Sequence, residues 1–328
     1  MVSKIPRRAW VSVLVAGLVA CPWLVSDYWV DVMNFCGIYI LLGLSLNVIV
    51  GYAGLFNLGH AAFYAVGAYT TAILSTRLGI PSLLLLPVSA LAAAAFAYII
   101  SRPIIHLRGD YLCVVTIGFG EIVRIALLNN PWGLTGGVNG VFGIPRPSLG
   151  FFTIRTVDQY YYFILLFIVL FVWAMRRLER SRVGRAWTCI REDETAAEAM
   201  GMDTASLKLL AFVLGAAGAG IAGNIYASKM TLIAPESFNF WESCVMFCIV
   251  VLGGTGSIPG VIVASLGMTA LPELFREFAR ARMLVFGLAM VLMMIFRPQG
   301  LWPSAHWRRQ VQREGDLAGT PTAATGPG

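Results

Sequence analysis

The chain has 328 residues, 58% of them apolar and only 12% charged, with a net charge of +7. A soluble domain carries about 25% charged residues, so a water-soluble globular fold is disfavoured, and a mean hydropathy of +0.76 makes lipid the simplest solvent. The basic residues sit in short segments between apolar runs, the pattern of a topology signal; no nucleic-acid-binding motif accompanies them, so nucleic acid is not an expected partner.

Lys4, Arg7 and Arg8 precede an uncharged run over 9–26. With Leu18-Val19-Ala20-Cys21 it has the outline of a lipoprotein signal, yet it is long enough to span uncleaved, and that reading is preferred. Further uncharged runs cover 32–76, 78–101, 159–175, 209–228, 243–272 and 283–296, and 111–128 is apolar apart from Glu121 and Arg124. One crossing takes about 20 residues. Residues 32–76 therefore hold two spans, broken near Gly51-Tyr52-Ala53-Gly54. Residues 243–272 hold two short spans, or a span and a re-entrant segment, broken at Gly253-Gly254-Thr255-Gly256 ahead of Pro259-Gly260. The two Gly-rich joints give a faint internal similarity, of the kind transporters show between halves and chance also produces. The fold expected is all-α, a polytopic transmembrane helical bundle of about ten spans.

With the N-terminus inside, the segments 1–8, 101–110, 176–208 and the tail after 296 hold 16 of the 24 Lys and Arg, which favours both termini in the cytoplasm. Arg276, Arg280 and Arg282 contradict this locally, leaving 243–282 the least determined part. The chain divides into a cytoplasmic N-terminus (1–8), a transmembrane domain (9–300) and a cytoplasmic tail (301–328) whose small, polar, Gly/Pro-rich end reads as disordered. Two loops are long: 129–158, external and rich in Gly and Pro, and 176–208, internal and dense in charge.

In the internal loop, Glu192–Met200 are helix formers with acids in the first turn, and Gly201 is placed to end the helix. Glu121 and Arg124, three apart, share a helix face. They either line a route for a zwitterion or form an ion pair joining two helices, since charges within a span need protein or water around them. Asn47, Asn57 and His60 flank the first joint; a broken helix exposes backbone polar groups that only protein or a cavity can satisfy. Close packing through Gly51, Ala53 and Gly54 explains the joint equally well. The six cysteines form no C-x-x-C pair and read as small apolar filler, and the three histidines are too scattered for a metal site. A P-loop is absent: the lysines are Lys4, Lys208 and Lys229, and none follows a Gly. There is no G-x-S-x-G elbow and no H-E-x-x-H, so no catalytic centre or bound cofactor is expected.

Thr195-Ala196-Ala197-x-x-x-Gly201 resembles the EAA loop of bacterial ABC importer permeases, with Thr in place of the usual Glu and without the downstream I-x-L-P. More of the chain resembles the branched-chain amino acid ABC permeases of the LivM type. The resemblance is carried by Gly51-Tyr52-Ala53-Gly54-Leu55-Phe56-Asn57-Leu58-Gly59-His60, Arg108-Gly109-Asp110-Tyr111, Thr116-Ile117-Gly118-Phe119-Gly120-Glu121, Thr135-Gly136-Gly137-Val138-Asn139-Gly140, Ile190-Arg191-Glu192-Asp193-Glu194, Val251-Leu252-Gly253-Gly254-Thr255-Gly256 and Phe296-Arg297-Pro298-Gln299-Gly300-Leu301. It implies a transport subunit in a bacterial inner membrane, with a sister permease, two ATP-binding subunits that use ATP and Mg, and a periplasmic substrate-binding protein. It further implies that Arg191, Glu192, Asp193, Glu194, Thr195, Ala196, Ala197 and Gly201 couple to the ATPase. Asn47, Gly51, Tyr52, Gly54, Asn57, His60, Glu121, Arg124, Gly253, Gly254 and Gly256 become candidates for the translocation path. Leucine-type amino acids lead as substrates, and similar permeases carry other amino acids, urea or short amides. An ion-coupled secondary transporter is the competing class; it would more often carry acids inside its spans, and Glu121 is the one acid the apolar runs suggest. A membrane-embedded enzyme would need a polar catalytic cluster, which the sequence does not contain.

Overall fold

The computed structural model describes residues 22–23, 25–107, 109–149 and 152–274, together with 287, 291 and 300–302. The N-terminal run through residue 21, nearly all of the 283–296 span, Arg276, Arg280, Arg282 and the tail beyond 302 lie outside the described residues. Among the described residues ten α-helices follow one another: α1 (Asp27–Asn47), α2 (His60–Leu78), α3 (Leu85–Ile104), α4 (Asp110–Leu128), α5 (Val157–Glu179), α6 (Arg182–Glu192), α7 (Glu194–Ala199), α8 (Thr204–Met230), α9 (Phe240–Gly253) and α10 (Ile258–Leu274). Five are long and apolar enough to cross a membrane: α1 with its continuation to Tyr52, α3, α4, α5 and α8. The chain is a helical, multi-pass membrane protein.

Local signals set the helix ends. Thr156 and Gln159 form a reciprocal capping box at the start of α5, which closes on Arg176 and Arg177. Asp203 and Asn239 cap α8 and α9 by accepting from Ser206 N and Glu242 N. Gly79, at φ +65°, ends α2. The run 32–76 splits as expected: α1 passes into one π-turn (Val48–Tyr52), residues 53–59 are irregular, and α2 begins at His60. The run 243–272 becomes two short helices, α9 of 14 residues and α10 of 17. At 1.5 Å per residue each is about 21–26 Å long, less than the roughly 30 Å of a bilayer's hydrocarbon core.

The centre is α1 with the π-turn that follows it, whose Leu41, Leu44, Leu46 and Ile49 are wholly buried. Around it α2, α3 and α8 pack backbone to backbone through small residues. A Cβ on Gly67 would lie 2.4 Å from the Cα of Gly220, and one on Gly223 would lie 2.5 Å from Tyr64 O.

Two details differ from the sequence reading. The helix expected over 192–200 starts two residues later, at Glu194, and a separate helix, α6, ends at Glu192 just ahead of it, because Asp193 (φ −154°, ψ 108°) leaves the helix and caps α7 with its own carboxylate. An Asp competes for backbone N–H groups better at a cap than inside a helix, which is why the break falls there. The 129–158 loop carries short strands: β1 (Val141–Phe142) pairs antiparallel with β4 (Leu232–Ile233), in register Val141↔Ile233, and β2 (Ser148–Leu149) pairs with β3 (Phe152–Thr153). With Arg77 donating to Gly133 O at 2.7 Å, these strands gather the loops of one end of the bundle. Residues 51–59, 180–203 and 254–257 gather at the other.

Candidate helix joint and connector

The site grows from two interrupted helices. In the first joint the π-turn shifts the backbone pairing: Ala53 N donates to Val48 O and Leu55 N to Ile49 O. A regular helix would send Leu55 N to Gly51 O, so the turn leaves the Gly51 carbonyl without a helical partner. Gly54 follows at φ +72°, a conformation that favours glycine. In the second joint, Gly254 (φ +100°) and Gly256 (φ +84°) carry the chain from α9 into α10.

The two joints dock on each other. Asn47 Oδ1 accepts from Gly256 N at 2.9 Å. A Cβ on Gly51 would lie 1.9 Å from that Oδ1 and 2.6 Å from Gly256 N, so only glycine fits. Gly253 meets Gly260 just as closely, and Gly300 lies on Gly254, with Leu301 N donating to Leu252 O at 2.7 Å and Trp302 N to Gly253 O at 3.2 Å.

Arg191, read from the sequence as part of an ATPase-coupling surface, reaches into this junction. Its Nη1 donates to Gly51 O at 2.5 Å and its Nη2 to Thr255 Oγ1 at 2.9 Å, and its stem lies where a Cβ on Gly54 would be. A cavity of about 250 Å³ opens beside it, walled by Ala53–Phe56, Leu107, Leu112, Ile190 and Arg191.

The connector α6–α7 is anchored rather than loose. Trp187, wholly buried, donates from Nε1 to Leu207 O at 2.7 Å, and Ile190 and Ala197 are buried beneath it. Glu194 pairs with Lys208, whose side chain is 3% exposed, and Thr204 Oγ1 donates to Glu198 at 2.8 Å. Asp193 accepts from Thr195 Oγ1 and Ala196 N, and these donors hold its carboxyl below the usual range. Glu192, Asp193, Thr195, Ala196 and Met200 face outward, and Gly201 (φ +82°) turns the chain toward α8.

The polar groups of the first joint are buried and incompletely satisfied. His60 Nε2 shares a 2.8 Å hydrogen bond with Ser45 Oγ, Asn57 Oδ1 accepts from Gly59 N at 2.9 Å, and Leu58 N donates to Thr116 Oγ1 at 3.2 Å. Asn47 Nδ2, Tyr52 Oη, Asn57 Nδ2 and His60 Nδ1 are buried with no partner among the described residues. Orphaned polar atoms at membrane depth are costly and belong beside water or a polar ligand.

Glu121 and Arg124 pair with each other along α4, Nε to Oε2 at 2.8 Å, with side chains about a third exposed. The bridge is within one helix, so it does not tie two helices together. It borders an exposed apolar stripe of Tyr111, Val114, Ile122 and Ile125. The helix meets the first joint at Thr116 and Gly120.

Three charged groups escape a reading by composition. Lys208 holds the connector from inside α8. Glu242, in the first turn of α9, accepts from Tyr39 at 2.9 Å, so Glu121 is not the sole acid set in an apolar helix. Lys229 pairs with Asp31 at 2.9 Å. Each is an isolated charge in or beside an apolar run, the signal by which it could have been found. Among the described residues no cluster of His, Cys, Asp or Glu could hold a metal ion.

Residues 28–296 match the family described as the branched-chain amino acid transport system / permease component. The chain is 43% identical to the high-affinity branched-chain amino acid transport system permease protein LivM of Escherichia coli (strain K12), over 92% of this chain and 76% of the relative. It is 28% identical to the corresponding permease protein BraD of Pseudomonas aeruginosa, over 80% of this chain and 91% of the relative. It is also 28% identical to the permease protein LivH of Escherichia coli (strain K12), over 70% and 78%. No solved structure matches the chain.

Proposed function

We infer the function from one premise: this chain belongs to the branched-chain amino acid transport permease family. It is a transport subunit rather than an enzyme, and it forms part of the translocation path of an ATP-binding-cassette importer for branched-chain or related amino acids. The observation that carries the reading is the connector. Its residues Asp193, Thr195, Ala196 and Met200 are exposed at the surface, while its inner face is fixed to α8 by Lys208 and to both joints by Arg191. A segment built this way relays movement from a partner into the bundle.

In this reading two ATP-binding subunits, which hold ATP and Mg, dock on Glu192, Asp193, Thr195 and Ala196. A sister permease completes the path, and a periplasmic binding protein docks on the 129–158 loop and the loop at Pro235-Glu236. The chain sits in the bacterial inner membrane with about ten spans and both termini cytoplasmic. The path runs past the unpartnered polar atoms of Asn47, Tyr52, Asn57 and His60.

Co-expression with the ATPases and permease of its own gene neighbourhood tests this. Purified complex in proteoliposomes, supplied with the binding protein, should take up leucine, isoleucine or valine only with ATP. Uptake driven by an ion gradient without ATP would refute it. Uptake of urea or short amides instead would leave the importer reading and correct the substrate.

A further inference from the structure

We propose that Arg191 is a positioning residue for transport, the latch through which movement of the connector reaches the two helix joints. The proposal rests on the importer reading and adds to it the point where the motion enters the membrane core. One guanidinium holds two segments that are otherwise far apart in the chain, the Gly51 carbonyl at the end of α1 and the Thr255 hydroxyl between α9 and α10. The Gly51 carbonyl needs that donor, because Leu55 N is already given to Ile49 O. Besides Arg191, the direct hydrogen bond between the joints among the described residues is that from Gly256 N to Asn47 Oδ1.

The arginine is on a stiff mount. Two residues on, Asp193 fixes the start of α7, and Trp187 and the Glu194–Lys208 pair fix the connector to α8. Its stem fits against Gly54, where a Cβ would lie 2.8 Å from Arg191 Cγ. Hydrogen bonds of this kind are lost beyond about 3.5 Å. A connector displacement of about 1 Å is therefore enough to release both acceptors together, leaving the Gly256–Asn47 hydrogen bond as the remaining direct tie between the joints. The planar fork of arginine can hold two acceptors at fixed separation, and a lysine ammonium, as a single point donor, does not reproduce that geometry.

The test compares R191K, T255V and the double variant with wild type in the full complex, reading amino acid uptake and ATP hydrolysis in the same proteoliposomes. R191K should assemble, and amino acids moved per ATP hydrolysed should fall by about tenfold or more, whatever the hydrolysis rate itself becomes. T255V should shift the ratio the same way by less. The double variant should be no worse than R191K, because both act through one contact. A normal ratio in R191K overturns the latch, and so does a parallel loss of uptake and hydrolysis, which marks an ATPase-docking contact. Should R191K fail to assemble, T255V decides: an unchanged ratio there overturns the latch. A wild-type complex without ATP-dependent uptake overturns the importer reading and the latch with it.

Discussion

Replacing Glu194 by Gln should loosen the connector far more than replacing its partner Lys208 by Met. The Lys208 side chain is 3% exposed and that of Glu194 is 22% exposed. In Glu194→Gln the ammonium stays buried against a neutral amide; leaving a fully buried charge unpaired costs about 3–5 kcal/mol. Water reaches the Glu194 side, which reduces this to about 2–3 kcal/mol. Since about 1.4 kcal/mol is tenfold in an equilibrium, the local opening that exposes the 194–208 amides should become about 30- to 150-fold more populated. In Lys208→Met the remaining carboxylate lies on the solvent side and an apolar stem fills the buried space, so the cost is at most about 1 kcal/mol. Hydrogen exchange of the reconstituted chain in nanodiscs reads both. Exchange in Glu194→Gln within twofold of wild type would refute the reasoning, as would a Lys208→Met that opens as readily as Glu194→Gln.

Glu121→Gln should abolish uptake while leaving the complex assembled, read by uptake alongside size-exclusion chromatography; loss of assembly would make the Glu121–Arg124 pair structural. Gly67→Ala puts a methyl 2.4 Å from the Gly220 backbone at the α2–α8 crossing, and should destabilise the bundle by about 1–3 kcal/mol. A thermal midpoint in detergent equal to wild type would contradict that packing. Asp193 has a lowered carboxyl pKa through Thr195 Oγ1 and Ala196 N, so its cap on α7 is complete above the ordinary value of 3.8 and weakens as pH falls through the lowered one. Protection of the α7 amides should fall on acidification in wild type. It should change less in Asp193→Asn, which keeps the cap without the titrating charge.

Much of the fold is legible because lipid imposes simple rules. Apolar runs about as long as one crossing must be helices in lipid, and 111–128, 159–175 and 209–228 each lie within an observed helix, α4, α5 and α8. The glycine joints are legible for the same reason, since Gly51–Gly54 and Gly253–Gly256 interrupt runs too long to be single spans. The connector was harder. Its composition signalled a helix but not the break at Asp193, because an acid in a first turn and an acid at a cap look alike until the backbone angles are known. The partners of Lys208 and Glu242 were out of reach altogether: Tyr39 lies 203 residues from Glu242, and no periodicity links them.

The sequence by itself determined that this protein lives in lipid, that two of its long apolar segments are broken by glycine, and that the chain carries a charged connector and no nucleotide-binding loop. Only the tertiary structure decided that the two breaks meet, and that Arg191, exposed like the acids beside it, reaches across to hold both. The reason is physical. Helix formation and membrane solvation are settled over one local stretch of chain. The destination of a side-chain donor is settled by whichever unsatisfied acceptor lies within about 3 Å, and for Arg191 those acceptors come from 140 and 64 residues away.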